Sequence, residues 1–229
     1  MMTWRTRHNR VITEKSLQSV PPKVASVPRV GRADVMTHLA SLPPRLLFIC
    51  TANRCRSPLA EHLMRRALQK LGVNGLVTSA GFLRGGFATP SVGVRVAATE
   101  GLDLTRHLSV QVGARLVEVS DLILTMTREH AREIVALAPD AWPRVYPLKQ
   151  FTALLSLVEL PRRADFRDAA EMVGAARRVN SILGNPGQDA VEDPMGRPAQ
   201  VREAVMADLR THVDQVAASF APLLGRSTR

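Results

Sequence analysis

Cysteine is nearly absent from this chain: 229 residues hold two, Cys50 and Cys55. Five positions apart in one stretch, they cannot staple distant parts of a fold. In a reducing compartment such a pair is more naturally chemical than structural. Aromatic side chains are also scarce, at 4%, which leaves few ring faces for stacking nucleic-acid bases. No helix-turn-helix, zinc-finger or RNA-recognition signature is present, so specific nucleic-acid binding is not expected despite a net charge of +11. No apolar run reaches the roughly 18 to 20 residues of a membrane span, and the N-terminus lacks the apolar core of about 7 to 15 residues that marks a secretory signal. The expectation is a cytoplasmic protein without a membrane span. Internal repeats are absent too.

What is present is enough apolar material, 45% of residues, to bury one proper core. The positive charge is unevenly spread. Residues 1–45 carry eight basic side chains against Glu14 and Asp34, so +6 of the +11 sits in the first fifth of the chain. Residues 1–44 mix Arg, Ser, Thr and Pro, are broken by Pro21-Pro22 and Pro43-Pro44, and show no sustained period. They read as a basic, disordered extension whose charge suits contact with an anionic partner. The folded domain is expected over 45–229.

Within that domain strands and helices alternate. Arg45–Cys50 reads as a buried strand, followed by a helix with Leu59, Leu63, Met64, Ala67, Leu68 and Leu71 on one face, ended by Gly72. Leu76–Ala80 is a second strand, then comes a glycine-bearing loop from Phe82 to Pro90 and a helix to about Gly101. Ser120–Met126 and Arg144–Leu148 read as the third and fourth strands, with a helix from Thr127 to about Leu137 between them. Such alternation implies a parallel sheet covered on both faces. Residues 151–192 form a long helical insertion, with Phe166, Ala169, Ala170, Val173, Ala176 and Val179 at helical spacing and Asn185-Pro186-Gly187 as a break. It delivers Glu192-Asp193-Pro194 and is expected to shape or cover the mouth of the site. A final helix carries Val201, Val205, Leu209, Val213, Val216 and Phe220 on one stripe.

The chemistry concentrates where the first strand ends, in Cys50-Thr51-Ala52-Asn53-Arg54-Cys55-Arg56-Ser57-Pro58. A loop this short curls on itself and turns successive N–H groups inward, which makes an anion nest. Ser57 is expected as N-cap and Pro58 as the first helical residue, so that the positive helix end faces the same nest. Cys50 would then sit beneath a bound phosphate, facing N–H dipoles and Arg56. Surroundings of this kind bring a thiol from about 8.5 down to roughly 3.5–7.5 and make it a nucleophile at neutral pH. Arg56 offers a planar fork for two phosphoryl oxygens.

These residues resemble the low-molecular-weight protein tyrosine phosphatase family, whose signature is Cys-x5-Arg-Ser followed by a helix. The resemblance extends through Ser79-Ala80-Gly81, Asp121–Met126, Pro147-Leu148-Lys149 and Asp193-Pro194. It implies a three-layer α/β fold with a four-stranded parallel sheet in flavodoxin-like order 2-1-3-4 and the phosphate-binding loop after the first strand. It implies Cys50 as nucleophile, Arg56 as phosphoryl binder and Asp193 as general acid and base, with Asp189 and Glu192 as rivals for that last role. Asn53, Ser57, Ser79 and His107 match positions that hold the loop open, and Cys55 matches a second loop cysteine able to form a disulfide with the nucleophile. Neither metal nor other cofactor is called for. The implied reaction is hydrolysis of phosphotyrosine in proteins. A phosphoarginine phosphatase on the same fold is the nearest alternative, and a silent phosphate-binding module the alternative from another class.

The chain departs from the family pattern at Ala52, where glycine is usual, at Arg54, which is neither aliphatic nor threonine, and at Val110, where many members have arginine. Met195 replaces a common aromatic, and Phe82 or Phe87 is expected to supply the wall of the substrate pocket beside it. Ala52 and Arg54 are where substrate preference is expected to be decided.

Overall fold

A computed structural model of the chain describes residues 43–161, 164–178, 181–184 and 187–223. The basic extension, except for its last two residues, lies outside the described residues, as do Val179 and the Asn185-Pro186 pair. Four parallel strands run β1 Arg45–Cys50, β2 Leu76–Gly81, β3 Leu122–Thr125 and β4 Val145–Pro147, in the order β2-β1-β3-β4. This is the fold that the alternating pattern and the resemblance imply.

β1 explains the layering. Its side chains alternate with period two, and both sets are buried. Leu46, Phe48 and Cys50 enter the larger core, under helices α1 (Arg56–Leu71) and α7 (Ala199–Phe220). Leu47 and Ile49 enter a smaller core with Ile123, Val145, Ala131 and Ile134, under helix α4 (Arg128–Leu137). A central strand reads as a continuous apolar run because neither face meets water. Each fully buried Leu or Phe contributes on the order of 2 kcal/mol.

The remaining helices are α2 (Ser91–Thr99), α3 (Ala114–Val119), α5 (Leu148–Leu155) and α6 (Phe166–Ala175), with a 3-10 segment at Pro139–Arg144. Sequence periodicity does not show α3, since six residues are too few to display a period. α5 begins at Leu148, before position 151, so part of the expected insertion belongs to a helix that starts directly after β4. Gly72 ends α1 as expected, with a left-handed φ of 66° and hydrogen bonds from Gly72 N to Gln69 O and from Val73 N to Leu68 O. The α7 stripe is buried at Val205, Leu209, Val213, Val216 and Phe220.

The helical part of the insertion sits elsewhere than expected. Phe166, Ala169, Ala170 and Val173 of α6 are buried in the larger core, where Phe166 packs on Phe220 with ring centroids 4.8 Å apart. Arg167 ties the helix to Asp121, at 2.8 Å, and to Ser120 O, at 3.2 Å. Both precede β3, at the amino end of the sheet and therefore opposite Cys50. α6 thus completes the core and does not cover the mouth of the site; its apolar face was strong enough to demand burial. What reaches the carboxyl end is the later stretch, where Val191 N donates to Met126 O at 2.8 Å.

Candidate active site

The loop after β1 closes around one sulfur. Asn53 N donates to Cys50 Sγ at 3.3 Å, and Ser57 Oγ shares a hydrogen bond with the same sulfur at 3.0 Å. Asn53 is in the left-handed region, φ 51°, the single non-glycine residue there among those described. Asn tolerates this better than most side chains. The residue that must reverse the chain is therefore Asn53 and not Ala52, so alanine in place of the family's usual glycine causes no backbone strain.

Asn53 is also the hub of the loop. Its Nδ2 donates to Ser57 Oγ at 3.0 Å and Ser79 Oγ at 2.7 Å, and its Oδ1 accepts from Val110 N at 2.8 Å. Its carbonyl accepts from His107 Nε2 at 2.8 Å. Asn53 and Ser57 are fully buried, and buried amides and hydroxyls are costly unless paired. Ser79 and His107, 26 and 54 positions along the chain, thus converge on the loop. Glu61 joins them from within α1: buried, it accepts from Ser79 Oγ at 2.5 Å and pairs with Arg65 at 2.6 Å. Its sequence signal was slight, a carboxylate on the otherwise apolar inner face of a helix.

α1 starts two residues earlier than the sequence suggests. Arg56 is the first helical residue, Cys55 takes the cap position, and no side chain caps it. Ser57 is not the N-cap because its hydroxyl is engaged by Cys50 and Asn53. The first-turn N–H groups lack a side-chain cap at the loop, where the positive end of the helix dipole lies.

Arg56 is 7% exposed. Its Nη1 donates to Val191 O at 3.3 Å, and its Nη2 donates to Asp193 Oδ2 at 2.7 Å and to Thr51 Oγ1 at 3.4 Å. The structure separates the three acidic candidates. Asp189 pairs with Arg128 at 2.5 Å and Glu192 with Arg197 at 2.5 Å, so among the three only Asp193 is placed on Arg56. Asp193 Oδ1 also accepts from Met195 N at 3.0 Å, which fixes the carboxylate on its own turn, yet the side chain is 51% exposed. A held but accessible carboxylate can exchange a proton with a bound group.

His130 is a site residue that the sequence did not mark out. It lies on the first turn of α4, capped by Thr127, and its Nε2 is 3.0 Å from Thr51 Oγ1. Burial, together with the positive charge of Arg56, pushes its pKa down to about 4 against the opposing pull of Asp193, so the ring is neutral at pH 7. Its Nδ1 has no hydrogen-bond partner among the described residues. Phe82 stacks on this ring at 5.7 Å and packs into the smaller core, so it supports His130 as well as bordering the site. Phe87 and Met195, 50% and 37% exposed, stay open to a ligand. Arg54 reaches along the rim, with Nε donating to Ala88 O at 3.0 Å and its guanidinium 5.8 Å from the Phe87 ring.

Both cysteines are free thiols. Burial pushes the Cys55 thiol up to about 12, the nearby charges of Asp193 and Cys50 add to this, and Arg56 opposes it. Cys55 is thus a neutral, packed thiol in the resting protein.

Gly81 sets the clearance beneath the loop. A Cβ there would stand 2.6 Å from Asn53 N and 2.8 Å from Thr51 O, both main-chain atoms that cannot swing aside. Gly81→Ala is therefore expected to lower stability by about 1–3 kcal/mol. Affinity for inorganic phosphate should fall at least about tenfold, the equivalent of roughly 1.4 kcal/mol. Thermal unfolding and calorimetric phosphate titration read the two effects, and unchanged affinity would show that the loop does not depend on this clearance.

Comparison with known proteins agrees with the geometry. The family model described as low molecular weight phosphotyrosine protein phosphatase matches residues 45–161. The chain is 33% identical over 129 residues to the low molecular weight protein-tyrosine-phosphatase Wzb of Salmonella typhi, covering 56% of this chain and 83% of that protein. It is 28% identical over 176 residues to the protein-arginine-phosphatase of Geobacillus stearothermophilus, covering 77% and 95%. Among solved structures, a low molecular weight protein tyrosine phosphatase from T. tengcongensis superposes with a TM-score of 0.58 at 26% identity, over 76% of this chain and 97% of that one. Asp193 lies beyond the stretch matched by the family model, so its placement rests on the contact with Arg56.

Proposed function

Since the chain belongs to the low molecular weight phosphotyrosine protein phosphatase family, a family of hydrolases, we propose that it hydrolyses phosphotyrosine in proteins through a phosphocysteine intermediate on Cys50. The observation that carries the assignment is the contact between Arg56 and Asp193 at 2.7 Å, on a loop that holds the Cys50 sulfur. It brings a phosphoryl-binding fork and an accessible carboxylate to one sulfur.

In the first step the Cys50 thiolate attacks phosphorus, the S–P bond forms and the bond from phosphorus to the aryl oxygen breaks. The Asp193 carboxyl gives its proton to the departing phenolate, whose conjugate acid lies near 10 and so benefits from it. In the second step water attacks phosphorus, the Asp193 carboxylate takes its proton, and the S–P bond breaks to return the thiolate and inorganic phosphate. Arg56 and the loop N–H groups hold the phosphoryl oxygens as their charge shifts. Ser57, hydrogen-bonded to Sγ, stabilises the sulfur as attacker and as leaving group. Asn53, Ser79 and His107 position the loop. A cytoplasmic location suits a mechanism that needs reduced thiols.

The similarity to a protein-arginine-phosphatase over most of both chains keeps phosphoarginine as the second reading. Arg54 weighs against it: a guanidinium held at the rim repels the substrate's own guanidinium, while it is compatible with a neutral phenol ring. Matched phosphotyrosyl and phosphoarginyl peptides decide between them. The phosphotyrosyl peptide should be turned over with a kcat/KM at least about tenfold higher, a difference of about 1.4 kcal/mol in transition-state binding. The opposite order would reassign the substrate while leaving the chemistry intact.

A further inference from the structure

Away from the Cys50 loop, a cavity of about 440 Å³ opens between α5, the start of α4 and the chain that follows α6. Its volume is in the range of small-molecule pockets, and of its lining residues only Arg128, the partner of Asp189, also belongs to the surroundings of the site described above. Leu154 and Leu157 give it an apolar wall; Gln150, Arg177 and Ser181 give it a polar one.

That polar wall is unsatisfied. Arg177 Nε and Nη1, Gln150 Oε1 and Ser181 Oγ are buried atoms without a hydrogen-bond partner among the described residues. They are four of six such side-chain atoms in the described structure, gathered at one cavity. Gln150 is 92% buried, being 8% exposed, with its Nε2 fixed on Ser181 O at 2.8 Å, so its oxygen cannot be exchanged away by an amide flip without losing that bond. Arg177 is wedged against Trp142 and Tyr146, its guanidinium carbon 4.0 Å from each ring centre. Its polar contacts are a long one from Nη2 to Trp142 O at 3.4 Å and one to the Tyr146 hydroxyl. No carboxylate pairs with it among the described residues, whereas Arg128, on the neighbouring wall, is already neutralised by Asp189. A cation drawn partly out of water favours an anionic partner, and a buried polar atom requires a hydrogen bond; Arg177 is half-buried, with Nε and Nη1 enclosed. The aromatic faces supply part of that stabilisation but no acceptor for those two atoms.

We propose that this cavity is a second ligand site, for a small organic acid that sets its carboxylate against Arg177 and its apolar part against Leu154 and Leu157. Rotation of the Arg177 head group about its terminal torsions presents the unpaired edge to the carboxylate. Arg178 also lines the cavity, but the apolar wall of Leu154 and Leu157 favours an organic carboxylate over inorganic phosphate. The negative charge must come from the ligand because the walls provide none.

Octanoate is the probe, and its amide the neutral control. In a Trp4→Phe background the sole tryptophan is Trp142, which reports directly on the Arg177 stack. Octanoate is expected to change Trp142 fluorescence saturably, and octanamide to bind at least about tenfold more weakly, a difference of some 1.4 kcal/mol. Arg177→Gln should weaken octanoate by a similar factor. Leu157 is 73% exposed, so Leu157→Asp will fold even if Arg177→Gln does not, and its carboxylate at the mouth should expel the acid. Octanoate should bind equally to a Cys50→Ser protein, which separates this cavity from the phosphate loop. Equal binding of acid and amide, undiminished binding to Leu157→Asp, or no saturable response at millimolar octanoate would each overturn the proposal.

Discussion

Cys50→Ser will abolish turnover of an aryl phosphate, with kcat lowered at least about 10⁴-fold, while the protein still folds and still binds phosphate. The sulfur is 3% exposed and hydrogen-bonded to Asn53 N and Ser57 Oγ. A serine oxygen fits that space and keeps both partners. What it lacks is ionisation: an alkoxide is far less accessible than a thiolate at neutral pH, and neither of the two groups hydrogen-bonded to the position among the described residues, Ser57 Oγ and Asn53 N, is a base that could remove its proton. His130 does not serve, since its Nε2 is bonded to Thr51 and its Nδ1 is enclosed. Steady-state kinetics with an aryl phosphate give the loss, and calorimetry with inorganic phosphate checks that the loop is intact. Turnover within tenfold of the parent protein would end the phosphocysteine mechanism. The same variant, used to retain phosphoproteins from cell extract, identifies the substrate.

Asp193→Asn should lower kcat by about 10² to 10³ for a phenolic leaving group, the usual range for a general acid. The amide oxygen can replace only one carboxylate oxygen: it keeps the bond from Met195 N that holds the turn, while the contact with Arg56 and the transferable proton are lost. Two features distinguish this from a structural loss. The deficit should shrink as the leaving group becomes more acidic, because such an oxygen departs without a proton. Stability should change by less than about 1 kcal/mol, since the carboxylate is half exposed and exposed ion pairs contribute little. Asp189→Asn is the contrasting case. Asp189 and Arg128 are 13% and 15% exposed, so breaking that pair costs stability without altering the dependence on the leaving group. A leaving-group dependence that moved with Asp189 instead would transfer the acid role to it.

The comparison of the two acids shows how far the residues alone could go. Glu192-Asp193-Pro194 and Asp189 lie within five positions, and nothing in their spacing says which one reaches Arg56 from 137 residues away. That is decided by two anchors, Val191 N on Met126 O and Asp189 on Arg128, which together leave Asp193 over the loop. His130 was illegible for a similar reason. A lone histidine near a helix start has no local signature, and its relation to Thr51 exists only because β3 lies beside β1. The insertion misled in the other direction: its helical period at Phe166, Ala169, Ala170 and Val173 was read correctly, but a period says that a face is buried and not against what.

By itself the sequence determined the tight loop around the Cys50 sulfur, because Cys50, Arg56 and Ser57 lie within eight residues and short-range geometry constrains so short a loop. It also determined the parallel sheet, because apolar runs separated by helical periods leave few other packings. Tertiary structure alone decided the contacts between distant segments: Asp193 on Arg56, His130 under Thr51, α6 at the far end of the sheet, and Arg177 at a second cavity. Local steric preferences act over a few residues and are written in residue order. Which buried charge meets which partner depends on where the whole core closes, and that is fixed only when the chain has folded.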